Sequence, residues 1–199
     1  MLVKRASGRE RFSELFAERL GRALGLRMAE YFPDSHGIAS RDFTDGGMYA
    51  LEHAAAFSEE EEPDEILLER LAQICPEAAG DYADMLYFDA LIFNPDRHSA
   101  NWGLLLRPDG SVLGLAPLFD HNAALIARGE DILDRRMEDR LIRDYRQLVR
   151  RHPVYARAYP DGLAEAAEEI CGALSGSAAQ SRRIAAFLTA RAKMLHAPE

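Results

Sequence analysis

The residues best suited to chemistry lie between Asn94 and Asp120. They run Asn94-Pro95-Asp96-Arg97-His98-Ser99-Ala100-Asn101-Trp102-Gly103, and then Leu118-Phe119-Asp120. An aspartate is followed five residues later by an asparagine, and a second aspartate arrives after a short segment of strand and turn residues. These side chains are hard oxygen donors. Magnesium takes a few carboxylate or amide oxygens and keeps the rest of its shell for phosphates and water. Phosphoryl transfer in turn needs positioning and charge neutralisation more than covalent help. Asp96, Asn101 and Asp120 are therefore the candidate site residues, three oxygen donors suited to metal-assisted phosphoryl transfer. The competing structural roles are turn capping by Asp96 and Asn101, and an N-cap of the following segment by Asp120.

The flanking pattern predicts elements that would bring these side chains together. Glu77 to Phe93 is apolar on most sides (Tyr82, Met85, Leu86, Phe88, Ala90, Leu91, Ile92), which predicts a centrally buried helix. Asn94-Pro95-Asp96 ends it. Trp102 to Leu106 and Val112 to Leu115 read as strands joined by the turn Pro108-Asp109-Gly110, a hairpin signature. Such a hairpin returns Asp120 beside the loop that carries Asp96 and Asn101, so three oxygen-bearing side chains converge at one end of it.

Around this centre the chain alternates between short extended segments and helices. Met1 to Lys4 is an apolar run ending in lysine, a candidate strand. Arg9 to Leu24 repeats Phe12, Leu15, Phe16, Leu20, Ala23 and Leu24 at helical spacing, with Gly25 as a stop. Tyr31-Phe32 and Ile38 to Phe43 read as short strands or extended loop, and Asp45-Gly46-Gly47 as a turn. The acidic run Glu59 to Glu62 precedes Pro63 and a helix over Asp64 to Ile74, placing carboxylates near a positive helix end. Asp134 to Arg151 predicts a helix with an arginine-rich face. Glu138, Asp139 and Asp144 interleave with those arginines, which favours a solvated face over a phosphate-binding stripe. Leu163 to Leu174 and Ala178 to Leu195 are two further helices. The fold class is α+β, mostly α.

Composition narrows the setting. The chain has 199 residues, enough for one domain or two small lobes around a cleft, with 48% hydrophobic and 29% charged residues. No apolar run reaches the roughly 18 residues of a membrane span, and the basic start lacks the apolar stretch of a signal peptide. The net charge of -9 disfavours direct binding to nucleic acid or anionic membrane. Cys75 and Cys171 lack metal-binding spacing and read as reduced core thiols, as expected of a cytoplasmic protein.

Asn94-Pro-Asp96-Arg-His98-Ser-Ala-Asn101-Trp-Gly-Leu, with Leu115-Ala-Pro-Leu-Phe119-Asp120, resembles the catalytic loop and metal-binding motif of the HipA-like serine/threonine kinases, bacterial toxin-type kinases. The spacing D-x-x-x-x-N is also that of the kinase catalytic loop. The resemblance implies a kinase-like fold, with a reduced or truncated N-lobe over residues 1–50 and a helical C-lobe over residues 51–199. It implies Mg-ATP-dependent transfer to a serine or threonine of a protein substrate, with an antitoxin as a possible partner. Asp96 would be the catalytic aspartate, Asn101 and Asp120 the ligands of Mg2+ and ATP, and His98 a structural part of the loop. Further upstream, Leu2-Val-Lys4 and the helix with Ser13-Glu14 are similar to the family's lysine strand and following helix. Lys4 would then bind the ATP phosphates and Glu14 would pair with it, with Glu18 one turn on as the competing partner.

Two departures qualify the resemblance. No G-x-G-x-x-G is present, and His121-Asn122 follow Asp120 where ordinary protein kinases have Phe-Gly. The missing nucleotide-covering loop leaves three accounts open: a fragment or mis-started reading frame, a pseudokinase, or a split kinase whose partner supplies the N-lobe strands. The pseudokinase and split-kinase accounts make the chain a binding module. A further alternative is a small-molecule kinase acting on a lipid head group or an aminoglycoside.

Overall fold

The computed structural model describes residues 2–197 apart from 36, 60, 61, 136 and 176, with the backbone alone at 175. The fold is α+β and mostly α, built from two small antiparallel sheets and a set of packed helices.

Strand β1 (Leu2–Arg5) leads into helix α1 (Gly8–Ala23). Ser7 starts the helix with a capping box: its hydroxyl accepts from the Glu10 N–H, and the Glu10 carboxylate accepts from the Ser7 N–H at 2.7 Å. Leu15, Phe16, Ala17 and Leu20 put one face of α1 into the core. Strands β2 (Tyr31–Asp34) and β3 (Gly37–Ser40) complete the first sheet in the order β1-β3-β2, which sets Lys4 opposite Ile38. The two short segments anticipated after Tyr31 are thus strands.

The second sheet takes strand β4 (Ala50–His53) from outside the hairpin and pairs it with β5 (Gly103–Leu106), which pairs in turn with β6 (Val112–Leu115). Ala50-Leu-Glu-His53 has no alternating pattern, so no strand was expected there. Gly103 makes the close pairing possible, because a Cβ on it would meet the Glu52 carbonyl oxygen at 2.3 Å.

Helices α2 (Asp64–Ile74), α3 (Pro76–Ile92), α4 (Arg140–Arg151), α5 (Leu163–Ser175) and α6 (Ala178–Leu195) form the rest. Helix α3 is the central one: Tyr82, Met85, Tyr87, Phe88, Leu91 and Ile92 are buried on several sides of it, between α2, α4, α6 and β6. Side chains of this size each contribute about 1.5–3 kcal/mol when fully buried, so α3 is the rigid post on which the following loop is built. Phe93 closes α3 in the left-handed conformation (φ 53°), and the Asn94 N–H returns to the Asp89 carbonyl.

Helix α4 starts at Arg140, six residues later than the sequence pattern suggests, and Glu130–Asp134 form a 3-10 turn before it. The reason is Asp139. Its carboxylate caps α4 by accepting from the Ile142 N–H at 3.2 Å, and it also pairs with the buried Arg191 at 2.6 Å. The arginine face of α4 is laced with ion pairs, Arg140–Asp144 and Arg146–Glu138 among them. Within the acidic run, Glu62 pairs with Arg70, while residues 60 and 61 lie outside the described set. Neither cysteine is in a disulfide among the described residues; Cys171 is buried and Cys75 half-buried. Among the described residues no helix is long and apolar enough to cross a membrane.

Candidate active site

The loop after α3 is organised by Arg97, whose side chain is 8% exposed. Its Nε donates to Asp89 Oδ2 at 2.7 Å and its Nη2 to Asp89 Oδ1 at 3.0 Å. Nη1 donates to the Asn101 carbonyl at 2.5 Å and to the Phe119 carbonyl at 2.8 Å. One guanidinium nitrogen thus binds the backbone of the asparagine of the loop and of the residue before Asp120. The convergence expected of the hairpin is brought about by this clamp. Burial disfavours the charge on Arg97, but the Asp89 carboxylate outweighs it and holds the guanidinium above its usual pKa. Asp89 is itself fixed by the Asn94 amide, which donates to Oδ1 at 2.8 Å.

Asp96 stands on the open side of this loop. Its backbone carbonyl accepts from the Asn101 amide at 3.0 Å, while its carboxylate is half-exposed and lies 3.2 Å from Arg128 Nη2. Asn101 is buried, its N–H bonded to the His98 carbonyl at 2.8 Å, and its Oδ1 accepts no hydrogen bond among the described contacts. His98 Nδ1 accepts from the Ala100 N–H at 3.3 Å, so His98 caps the turn from its exposed side.

Asp120 adopts a left-handed backbone (φ 61°), a conformation that aspartate tolerates better than most residues. That conformation is held from several sides. The Asp120 N–H donates to Tyr31 Oη at 3.2 Å, and the His121 N–H donates to Glu14 Oε1 at 2.9 Å. A parallel bridge between Met28 and Leu118 ties the segment after β6 to the N-terminal half, with Leu118 N–H to the Arg27 carbonyl at 2.7 Å. Burial, reinforced by the nearby Glu14 charge, raises the Tyr31 pKa far enough to keep the phenol neutral. His121 Nε2 lies 2.9 Å from Arg97 Nη2. A guanidinium only donates, so Nε2 accepts and the ring proton sits on Nδ1, 3.7 Å from Glu14 Oε1.

The structure gathers Lys4, Asp96, Asn101 and Asp120 into one group. Lys4 Nζ forms an ion pair with the Asp120 carboxylate. The anticipated Lys4–Glu14 pair is not among the described contacts, and Glu18 pairs with Arg22 at 2.5 Å instead. The cause is depth. Glu14 is buried and bonded to the His121 N–H, whereas Lys4 is half-exposed and reaches the rim where Asp120 stands. Sequence reading missed Arg97, Asp89, Tyr31, His121 and Arg128. One signal was available: Asp89 is a carboxylate on a helix otherwise apolar on most sides, which requires a buried cationic or donor partner. Asp120 does not cap a helix; the residues after it turn before a 3-10 segment at Leu125–Arg128.

No family model matches the chain, and no curated protein does. Among solved structures it superposes on the Helicobacter pylori proinflammatory kinase CtkA with a TM-score of 0.66 at 19% identity, over 94% of this chain and 82% of that one. A second match is HipA of Shewanella oneidensis MR-1, from its complex with HipB and operator DNA. There the TM-score is 0.48 at 14% identity, over 92% of this chain and 55% of that one. The chain shares the fold of the CtkA kinase.

Proposed function

We propose that this chain is a Mg-ATP-dependent phosphotransferase, a HipA-like serine/threonine protein kinase of the toxin type. Residues 1–50 serve as a reduced N-lobe and residues 51–199 as the C-lobe. The observation that carries this reading is the Arg97 clamp, which joins the backbone of Asn101 to that of the residue before Asp120.

The donor set suits magnesium. Asp120 offers a partly exposed carboxylate and Asn101 an amide oxygen that accepts no hydrogen bond among the described contacts, both hard oxygens with room left for phosphate and water. When bound there, the metal supplies charge neutralisation to the phosphates. The chain's own residues do the rest. Asp96 orients the acceptor hydroxyl and takes its proton at a carboxylate oxygen. Lys4, with its side chain 47% exposed, exchanges its Asp120 partner for phosphate oxygens. Glu14 and Tyr31 hold the backbone N–H groups of His121 and Asp120, which fixes the direction of the Asp120 carboxylate. His98 keeps the loop turned. The resemblance of the loop carries with it the proposal of a protein substrate, an antitoxin partner and a cytoplasmic site of action.

The test is thermal unfolding with and without Mg-ATP, on the wild type and on Asp120→Asn. Ligand at 100 times its dissociation constant adds ~2.7 kcal/mol, which for a domain of this size raises Tm by about 5–11 °C. The wild type shows the shift and Asp120→Asn loses it; transfer of the labelled γ-phosphate to protein is lost in Asp96→Asn. A shift that survives Asp120→Asn rejects the site.

A second reading is favoured by β1. It is an outer strand whose residues are all exposed, Leu2 at 74% and Val3 at 54%. An apolar strand edge of this kind accepts an added strand. On that reading the chain acts with a strand-supplying partner, and Mg-ATP gives no shift until the partner is added.

A further inference from the structure

Phosphoryl transfer asks for positive charge on the acceptor side of the transferred group as well as on the metal side. Lys4 stands on the Asp120 side. On the Asp96 side the catalytic loop has one cationic side chain, Arg97, and it is unable to serve. Its nitrogens are committed to Asp89, to the Asn101 and Phe119 carbonyls and to His121, all beneath the loop. His98 is turned back on the Ala100 N–H.

The cation beside the Asp96 carboxylate is Arg128, with Nη2 3.2 Å from Oδ1. Its backbone and its side chain are held very differently. The 3-10 turn Leu125–Arg128 is anchored by Leu125 and Ile126, exposed by only 1% and 3%, and by its packing against α1. Gly129 (φ 133°) then turns the chain away. The Arg128 side chain is 56% exposed and that of its partner 44% exposed. An ion pair this open contributes little to stability and exchanges readily. A fixed backbone carrying a displaceable guanidinium suits a group that must reach an incoming anion. Guanidinium is also the cation whose planar fork matches phosphate oxygens.

We propose that Arg128 is a catalytic residue that leaves Asp96 and binds the transferred phosphoryl group. This rests on the phosphotransferase reading given above. In the step, the acceptor hydroxyl oxygen forms a bond to the γ-phosphorus as the bond to the β–γ bridging oxygen breaks. ADP departs with that electron pair, and the hydroxyl proton passes to the Asp96 carboxylate that Arg128 has vacated. Arg128 takes up the charge on the equatorial oxygens and holds the acceptor side closed to water.

The test compares wild type, Arg128→Ala, Arg128→Lys and Asp96→Asn for single-turnover loss of labelled γ-phosphate from Mg-ATP, with water or added protein as acceptor. Each is also measured by thermal shift with Mg-ADP, with and without aluminium fluoride as the phosphoryl mimic. Expected for Arg128→Ala is a rate about 100-fold lower or more. Its Mg-ADP shift is unchanged, the extra shift from aluminium fluoride is lost, and Arg128→Lys recovers part of both. An Arg128→Ala rate equal to or above that of an active wild type overturns the assignment alone and makes the pair an inhibitory latch or a surface contact. A wild type that neither binds Mg-ADP nor turns over Mg-ATP overturns the phosphotransferase reading and the Arg128 assignment with it.

Discussion

Arg97→Met tests the clamp most directly. Methionine keeps the apolar stem and removes the charge, leaving Asp89 buried at 2% exposure with the Asn94 amide as its remaining partner among the bonds described. Breaking a buried pair by removing one partner costs about 3–5 kcal/mol. For a domain of this length each kcal/mol corresponds to about 2–4 °C in Tm, so the expected fall is about 6–20 °C. The two carbonyls that shared Nη1 lose their donor as well, which places the result in the upper part of that range. The assay is thermal or urea unfolding of four proteins: wild type, Arg97→Met, Asp89→Asn and the double variant. The double variant is expected to lose much less than the sum of the single losses, because removing both partners leaves no unpaired charge. The Mg-ATP shift is absent in it, since Arg97 then no longer joins the Asn101 and Phe119 carbonyls. An Arg97→Met Tm within about 3 °C of wild type, or strictly additive losses, refutes the clamp.

Three further outcomes follow from the fold. Gly103→Ala puts a Cβ 2.3 Å from the Glu52 carbonyl oxygen and 3.0 Å from His53 Cα, both backbone, so β4 has to move; the expected loss in urea unfolding is about 1–3 kcal/mol. Asp139→Ala removes both the α4 cap and the partner of Arg191, which is 1% exposed. Its cost in the same assay exceeds the ~1 kcal/mol of a cap alone, and Arg191→Met added to it recovers part of the loss. Burial lowers the pKa of His196 below 6.5, and its Nε2 is enclosed without a hydrogen-bond partner. A folded pKa below the unfolded one means that its contribution is complete above about pH 6.5 and is lost as pH falls through the folded value. The Tm gap between wild type and His196→Gln therefore narrows from pH 7.5 to pH 5.

The elements that sequence reading located well are those with strong local periodicity. The span Asp64 to Ile74, the hairpin strand Val112 to Leu115 and the helix Ala178 to Leu195 appear as anticipated, because each has an apolar stripe and a clear stop. The Asp109-Gly110 turn formed too: Asp109 accepts from the Ser111 N–H at 2.9 Å and Gly110 takes φ 82°. What was missed depends on distant partners. β4 exists because β5 offers an edge, a property of residues 50 positions away in the chain. The α4 start is set by Arg191, which no local pattern around Asp139 announces. In the site, Asp96, Asn101 and Asp120 stood out by type and spacing, but the clamp joins residues 89, 97, 101 and 119, and a guanidinium pointing inward reads in sequence like any surface arginine. The Lys4 and Glu14 positions came from resemblance alone, and their partners are set by depth in the fold.

Arg97 also changes how the history of such a chain would be read. Its bonds hold together a helix end, a loop and a hairpin whether or not any phosphate is ever moved, so selection for folding alone is enough to keep it. Asp96 and Asp120 carry charge at the rim and contribute little to that task. In a lineage that abandons the chemistry and keeps the shape, the rim aspartates drift while Arg97 and Asp89 persist. A set of related sequences that retains the buried pair but scatters at the rim would mark a scaffold, and one that holds both would mark a working enzyme.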